Sequence, residues 1–208
     1  MTRRTMPREL LVMMGVSGCG KTTVGSQLAR ALALPFIEGD ALHSASSIEK
    51  MRRGEPLDDA DRAPWLAAIA RELADEARYP AGLVVACSAL KRAYRDTLRA
   101  AATGVRFVFL DARRSVIERR VAARRSHFMP RSLVASQFET LERPTAAEPD
   151  VITLHAGPSP AAIVDALLGK LSAARAASEG SGTAPAGGPA AFSAAARRAA
   201  RKGCASRR

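Results

Sequence analysis

The octapeptide Gly15-Val16-Ser17-Gly18-Cys19-Gly20-Lys21-Thr22 constrains this chain more than any other feature. It matches G-x-x-x-x-G-K-[ST], and its flanks matter as much as the match. Leu10 to Met14 ahead of it is an apolar run of the length of a buried strand, and residues 21–33 behind it carry a helical pattern. A strand, a glycine-rich turn and a helix open a parallel α/β unit, since parallel strands need a crossover. Small residues let the loop's N–H groups turn inward around phosphate oxygens, and the helix N-terminus adds the positive end of its dipole. On this reading Gly15 through Thr22, with Thr23, cradle the phosphates of ATP. Lys21 reaches the β- and γ-phosphates, and the Thr22 hydroxyl is the protein's ligand to Mg²⁺.

The rest of the chain repeats the alternation. Short apolar runs at 36–37, 83–86, 106–110 and 151–154 read as strands. Helices are expected at about 46–53, 61–77, 89–101, 113–124 and 159–171, with a loop and helix at about 125–141. In the 61–77 segment Trp65, Leu66, Ile69 and Leu73 make one apolar face, and Pro64 suits a first helical turn. The expectation is a three-layer α/β/α phosphate-loop NTPase fold with a five-stranded parallel sheet and a helical lid. Residues 1–9 are expected to be a flexible N-terminus, 10–171 the folded domain with its lid at about 124–142, and 172–208 a tail. Residues 172–208 hold 14 Ala and five Gly, one Phe, and no Leu, Ile or Val. Such a segment buries too little to offset its ordering entropy, so it reads as disordered.

Net charge is +12, a value that suggests nucleic acid until it is divided along the chain. Residues 171–208 contribute seven Lys/Arg against one acid, whereas 10–170 hold 22 basic and 18 acidic residues. A nearly balanced body argues against a nucleic-acid partner, apart from nonspecific binding through the tail. No apolar run approaches the ~20 residues that span a bilayer, so no membrane association is expected. Arg3, Arg4 and the apolar run before Cys19 look superficially like a lipoprotein signal, but the phosphate-loop motif accounts for the same residues better. Cys19, Cys87 and Cys204 form neither a disulfide framework nor a zinc motif, which fits a reducing, cytoplasmic setting. Cys19 and Cys87 read as packing residues.

An acceptor site has to be sought beyond the strand ends, where open parallel sheets bind ligands. Glu38-Gly39-Asp40 follows the second strand. A carboxylate at Asp40 can accept a proton from an attacking hydroxyl or hold Mg²⁺ through water, though Asp also favours a helix N-cap. Arg62 offers a planar fork for a carboxylate, while its local spacing also suits a salt bridge to Asp58 or Asp59. His43 reads either as a site residue or as a loop histidine, and Trp65 as core. Arg119, Arg120, Arg124, Arg125, His127 and Arg131 form a basic run that suits a closing lid or a solvated face.

Gly39-Asp40, His43, Lys50-Met51, Gly54, Pro56-Leu57, Asp59, Asp61-Arg62 and Pro64-Trp65-Leu66 occur in order. So do Cys87-Ser88-Ala89-Leu90-Lys91, Tyr94-Arg95-Asp96, His127-Phe128-Met129 and Ser136-Gln137-Phe138-Glu139-Thr140-Leu141-Glu142. Together with the phosphate loop they resemble the gluconate kinase (gluconokinase) family over about Leu10 to Leu171. The resemblance implies ATP-dependent phosphorylation of D-gluconate at its 6-hydroxyl. It implies Lys21, Asp40 and a lid arginine as catalytic groups, with Arg124 first and Arg120 second. Both arginines would also contact ATP, and Asp40, His43, Arg62 and Lys91 would hold the sugar acid. A homodimer is compatible with it. The chain departs from the family pattern where Ser44 replaces Pro, Ser47 replaces Asn and Glu38 replaces the more usual Asp. Ser47 lacks an amide, which puts substrate choice in question at that position. Rival readings are a related kinase for shikimate or another sugar acid, and a nucleotide-regulated nucleic-acid-binding protein.

Overall fold

Leu10, Leu11, Val12, Met13 and Met14 are wholly buried, as a central strand covered on both faces requires. In the computed structural model, which describes residues 8–123 and 131–180, they form β1 (Glu9–Met14). The other strands are β2 (Phe36–Glu38), β3 (Gly82–Ala86), β4 (Val105–Asp111) and β5 (Val151–His155). All pairings are parallel and the order is β2-β3-β1-β4-β5. The helices are α1 (Lys21–Ala31), α2 (Ala45–Arg52), α3 (Asp59–Ala74), α4 (Arg92–Arg99), α5 (Arg114–Ala122), α6 (Arg131–Thr140) and α7 (Pro160–Gly180), and a 3-10 turn covers Gly39–Leu42.

The period-2 alternation of β1 sorts its side chains into two layers. Leu11 and Met13 pack with Val24 and Leu28 of α1, Ile117 of α5, Val134 of α6, and Ile163 and Leu167 of α7. Leu10, Val12 and Met14 pack with Trp65, Ile69 and Leu73 of α3 and with Tyr94 and Leu98 of α4. With β3 on one side of β1 and β4 on the other, β1 is the switch point of the sheet, and a crevice opens beyond its carboxyl end.

Several boundaries differ from the sequence expectation. The first strand starts at Glu9, whose carboxylate pairs with Arg106, and Arg8 donates to the carbonyls of Tyr79 and Asp75. The third helix starts at Asp59 rather than 61, because Asp58 and Asp61 form a reciprocal capping box. Pro64 therefore lies inside α3 and not in its first turn. The fourth helix starts at Arg92 rather than 89, since Ala89 has φ 42 and the carbonyls of Ala89 and Leu90 accept from Arg95. The last helix runs on to Gly180 instead of ending at 171, so residues 172–180 are helical. The chain divides into a unit ending at Leu171 and one beginning at Ser172. Among the described residues no helix is long and apolar enough to cross a membrane.

Candidate active site

The phosphate loop leaves β1 through Gly15 (φ 133), Gly18 (φ 83) and Gly20 (φ 108), conformations that favour glycine. A Cβ on Gly15 would also come within 2.9 Å of the Leu110 carbonyl. Gly20 caps α1 without a side-chain hydrogen bond, so the first N–H groups of the helix face the loop as an anion site. Lys21 Nζ donates to the carbonyls of Gly15 (3.0 Å) and Val16 (3.2 Å), which keeps the ammonium over the loop. Thr22 and Thr23 are exposed on the first turn of α1, and Cys19 is buried.

Ser17, Lys21, Asp40, His43, Arg62 and Trp65 line one cavity beside this loop. Its floor is built by a close approach: a Cβ on Gly39 would sit 2.2 Å from the Ala86 carbonyl, so this position takes only glycine. Trp65 Nε1 donates to the Gly39 carbonyl at 2.7 Å, and the His43 ring stacks on the indole at 4.4 Å and 10°. Trp65 is thus both core and platform. His43 Nδ1 is buried with no hydrogen-bond partner. Burial pushes the His43 pKa down; Asp40 opposes this and Arg62 adds to it, a balance that favours the neutral ring.

Arg62 comes off α3 with its side chain 18% exposed and 4.0 Å from Asp59. Among the described residues its hydrogen bond is to Tyr94 Oη, at 3.3 Å. The Tyr94 hydroxyl and the Lys91 ammonium both bind the Asp59 carboxylate instead, the latter at 2.7 Å. Asp59 thus pairs closely with Lys91 and Tyr94 and at longer range with Arg62, which lines the cavity. Lys91 sits at the Asp59 pair rather than on the cavity wall.

The residues fit a hard divalent ion. Glu38 Oε2, at the end of β2, is buried and unpartnered. Glu38, Asp40 and Lys21 all act on the Cys87 thiol at the end of β3, which burial pushes up to about 12. Glu38 closes β2 and Asp40 follows it in the 3-10 turn, while Thr22 lies in the first turn of α1. No cluster of three His, Cys, Asp or Glu is present among the described residues.

Arg120 projects from α5 to the back of the loop, donating to the carbonyls of Ala156 (2.7 Å) and Cys19 (3.5 Å). It lines a second cavity with Gly18, Gly20, Thr23, Ala156 and Pro158, distinct from the one that Asp40 lines. Arg124, with Arg125 and His127, lies outside the described residues. Ser44 caps α2, accepting from the Ser47 N–H (3.1 Å) and donating to its hydroxyl (3.0 Å). Ser47 is 3% exposed, so it serves the helix cap and not the cavity wall.

Sequence reasoning gave no role to Tyr94, Ser88, Leu90, Ser136 or Gln137, although the last four line the cavity. All five sit in the motif stretches, so the signal was present as pattern without geometry.

The family described as AAA domain matches residues 10–144. A gluconokinase of Gluconobacter oxydans (strain 621H) is 44% identical over 167 residues, 80% of this chain and 93% of that relative. The crystal structure of a gluconokinase from Sinorhizobium meliloti 1021 superposes with a TM-score of 0.76 at 44% identity, covering 87% of this chain and 100% of that one. Shikimate kinase from Aquifex aeolicus shares the fold alone, at 17% identity and a TM-score of 0.54. With the phosphate loop, the acceptor cavity and these likenesses together, the chain belongs to the gluconokinase family of phosphate-loop kinases.

Proposed function

We propose that the protein transfers the γ-phosphoryl group of ATP to the 6-hydroxyl of D-gluconate, giving 6-phospho-D-gluconate and ADP, in the cytoplasm. The observation that carries this reading is Arg62: a half-buried guanidinium with donors to spare, sharing one cavity with Lys21 and Asp40. A sugar acid needs a cation at one end and a proton acceptor at the other, and Arg62 and Asp40 supply both. His43 and Ser88 add neutral polar contacts for hydroxyls.

In the transfer, the hydroxyl oxygen forms a bond to the γ-phosphorus as the bond to the β-bridging oxygen breaks. Asp40 takes the hydroxyl proton, and ADP leaves with the released electron pair. Lys21 lies beside the oxygens where charge develops, and its charge is worth most where water is shut out. Thr22 and Glu38 would hold Mg²⁺, which would neutralise the phosphates further. The lid, which we place at about 124–142, excludes water from the cavity and brings an arginine to the phosphoryl group, with Arg124 as our first choice.

The test is a kinase assay across gluconate, other aldonates and shikimate. The reading expects gluconate to have the highest kcat/KM and a 6-phosphorylated product. A higher value for shikimate would overturn it.

A further inference from the structure

Helix α6 reaches the phosphate loop through Gln137. Val134 is buried, and Phe138 and Leu141 pack against the same core layer, fixing one face of the helix. The neighbouring face carries Ser136 and Gln137 onto the cavity wall beside Ser17 and Lys21. There the Ser17 N–H donates to Gln137 Oε1 at 2.6 Å, across 120 residues of sequence.

We propose that Gln137 is a positioning residue that latches α6 onto the phosphate loop, so that docking of this helix and alignment of the acceptor with the phosphoryl group become one event. This rests on the kinase reading above. Ser17 belongs to the phosphate loop and lines the cavity with Lys21, and a hydrogen bond at its amide fixes the local loop path. A primary amide suits the task. Its oxygen takes the Ser17 proton, its nitrogen carries two further donors, and it adds no negative charge next to phosphates. A carboxylate there would accept the same bond while repelling the nucleotide. Loss of the latch leaves the loop and α6 free to shift independently, and a misplacement of about 1 Å costs on the order of 100-fold in rate.

The test compares wild type with Gln137→Met, which keeps length and removes the bond, and Gln137→Glu, which keeps an acceptor and adds charge. Gln137→Met is expected to lower kcat by about 10- to 100-fold while KM for ATP changes less than about 3-fold. It is also expected to release more ADP per sugar phosphate formed, because water enters a poorly closed site, and to speed hydrogen exchange across Gly15–Gly20. Gln137→Glu is expected to keep the exchange protection but raise KM for ATP. Wild-type kcat and coupling in Gln137→Met would overturn the proposal even if exchange quickens, since the bond would then only pack the helix. If wild type prefers another sugar acid, the substrate reading fails, and the same comparison on that acid judges the latch.

Discussion

His43 shows how one side chain's environment is set by three neighbours. Trp65 stacks on its face, Asp40 and Arg62 act on its charge, and its Nδ1 is buried without a partner. Desolvation wins, so its pKa falls below the ordinary 6.5. Because the folded value is the lower one, the neutral ring's contribution to stability is full above about pH 6.5 and declines as pH falls through that range. Trp65 is the chain's single tryptophan, so the titration has its own reporter. Protonation of the stacked ring should quench Trp65 emission with a midpoint below 6.5, and His43→Gln should abolish the step. A midpoint at or above 6.5 would mean that the ring is solvated. The stack was not legible from spacing: His43 read either as a site residue or as a loop histidine, the resemblance placed it at the sugar acid, and Trp65 read as core. The Trp65 indole is held by the Gly39 carbonyl, and Gly39, in the turn after β2, lies against Ala86 at the end of β3, a neighbour distant in sequence.

At the scale of elements, the alternation of short apolar runs and amphipathic segments was sufficient for all five strands, because a doubly covered sheet leaves few places for β-branched and Leu-rich runs. What it could not supply were helix starts set by side-chain contacts. The capping box at Asp58 and Asp61 moved α3 forward, and Arg95 moved the start of α4 back. Arg95 is 1% exposed and meets Glu148 at 2.7 Å, while Arg99 meets the same carboxylate at 2.6 Å. Its other donors reach Ala89, Leu90 and Glu142, tying the loop after β3 to the exit of α6 and the approach to β5. The two guanidiniums hold the Glu148 carboxyl down to about 2, against an ordinary 4.5. A depressed carboxyl stabilises fully above its unfolded value, so about 3 kcal/mol should be lost between pH 4.5 and 2. Glu148→Gln leaves Arg95 short of a charge partner and should lower Tm by on the order of 10 °C at pH 7. It should also flatten the acid limb of stability between pH 4.5 and 2. Equal acid dependence in wild type and variant, followed by thermal melts, would show that the network is not coupled to folding.

Across the whole molecule, the positive charge and the chemistry are carried by different segments. The acceptor cavity and phosphate loop draw on residues from Gly15 to Gln137, whereas the basic excess is concentrated after 170. Residues 172–174, 176 and 177 of α7 are exposed, so helix there rests on alanine propensity rather than packing. Truncation after Ser172 should therefore leave gluconate kinetics unchanged and shift Tm by less than about 5 °C; a larger drop would mean that the segment packs. The central claim, that this cavity selects a sugar acid through Arg62, is tested most directly by steady-state kinetics of wild type and Arg62→Ala on gluconate and on the corresponding uncharged alditol. A charge-assisted bidentate contact is worth about 2–4 kcal/mol once partly desolvated, so kcat/KM for gluconate should fall about 30- to 1000-fold, mainly through KM. Activity on the alditol should change little, and Arg62→Lys should recover only part of the loss. An equal loss on both substrates would contradict the account and make Arg62 a structural partner of Tyr94 and Asp59.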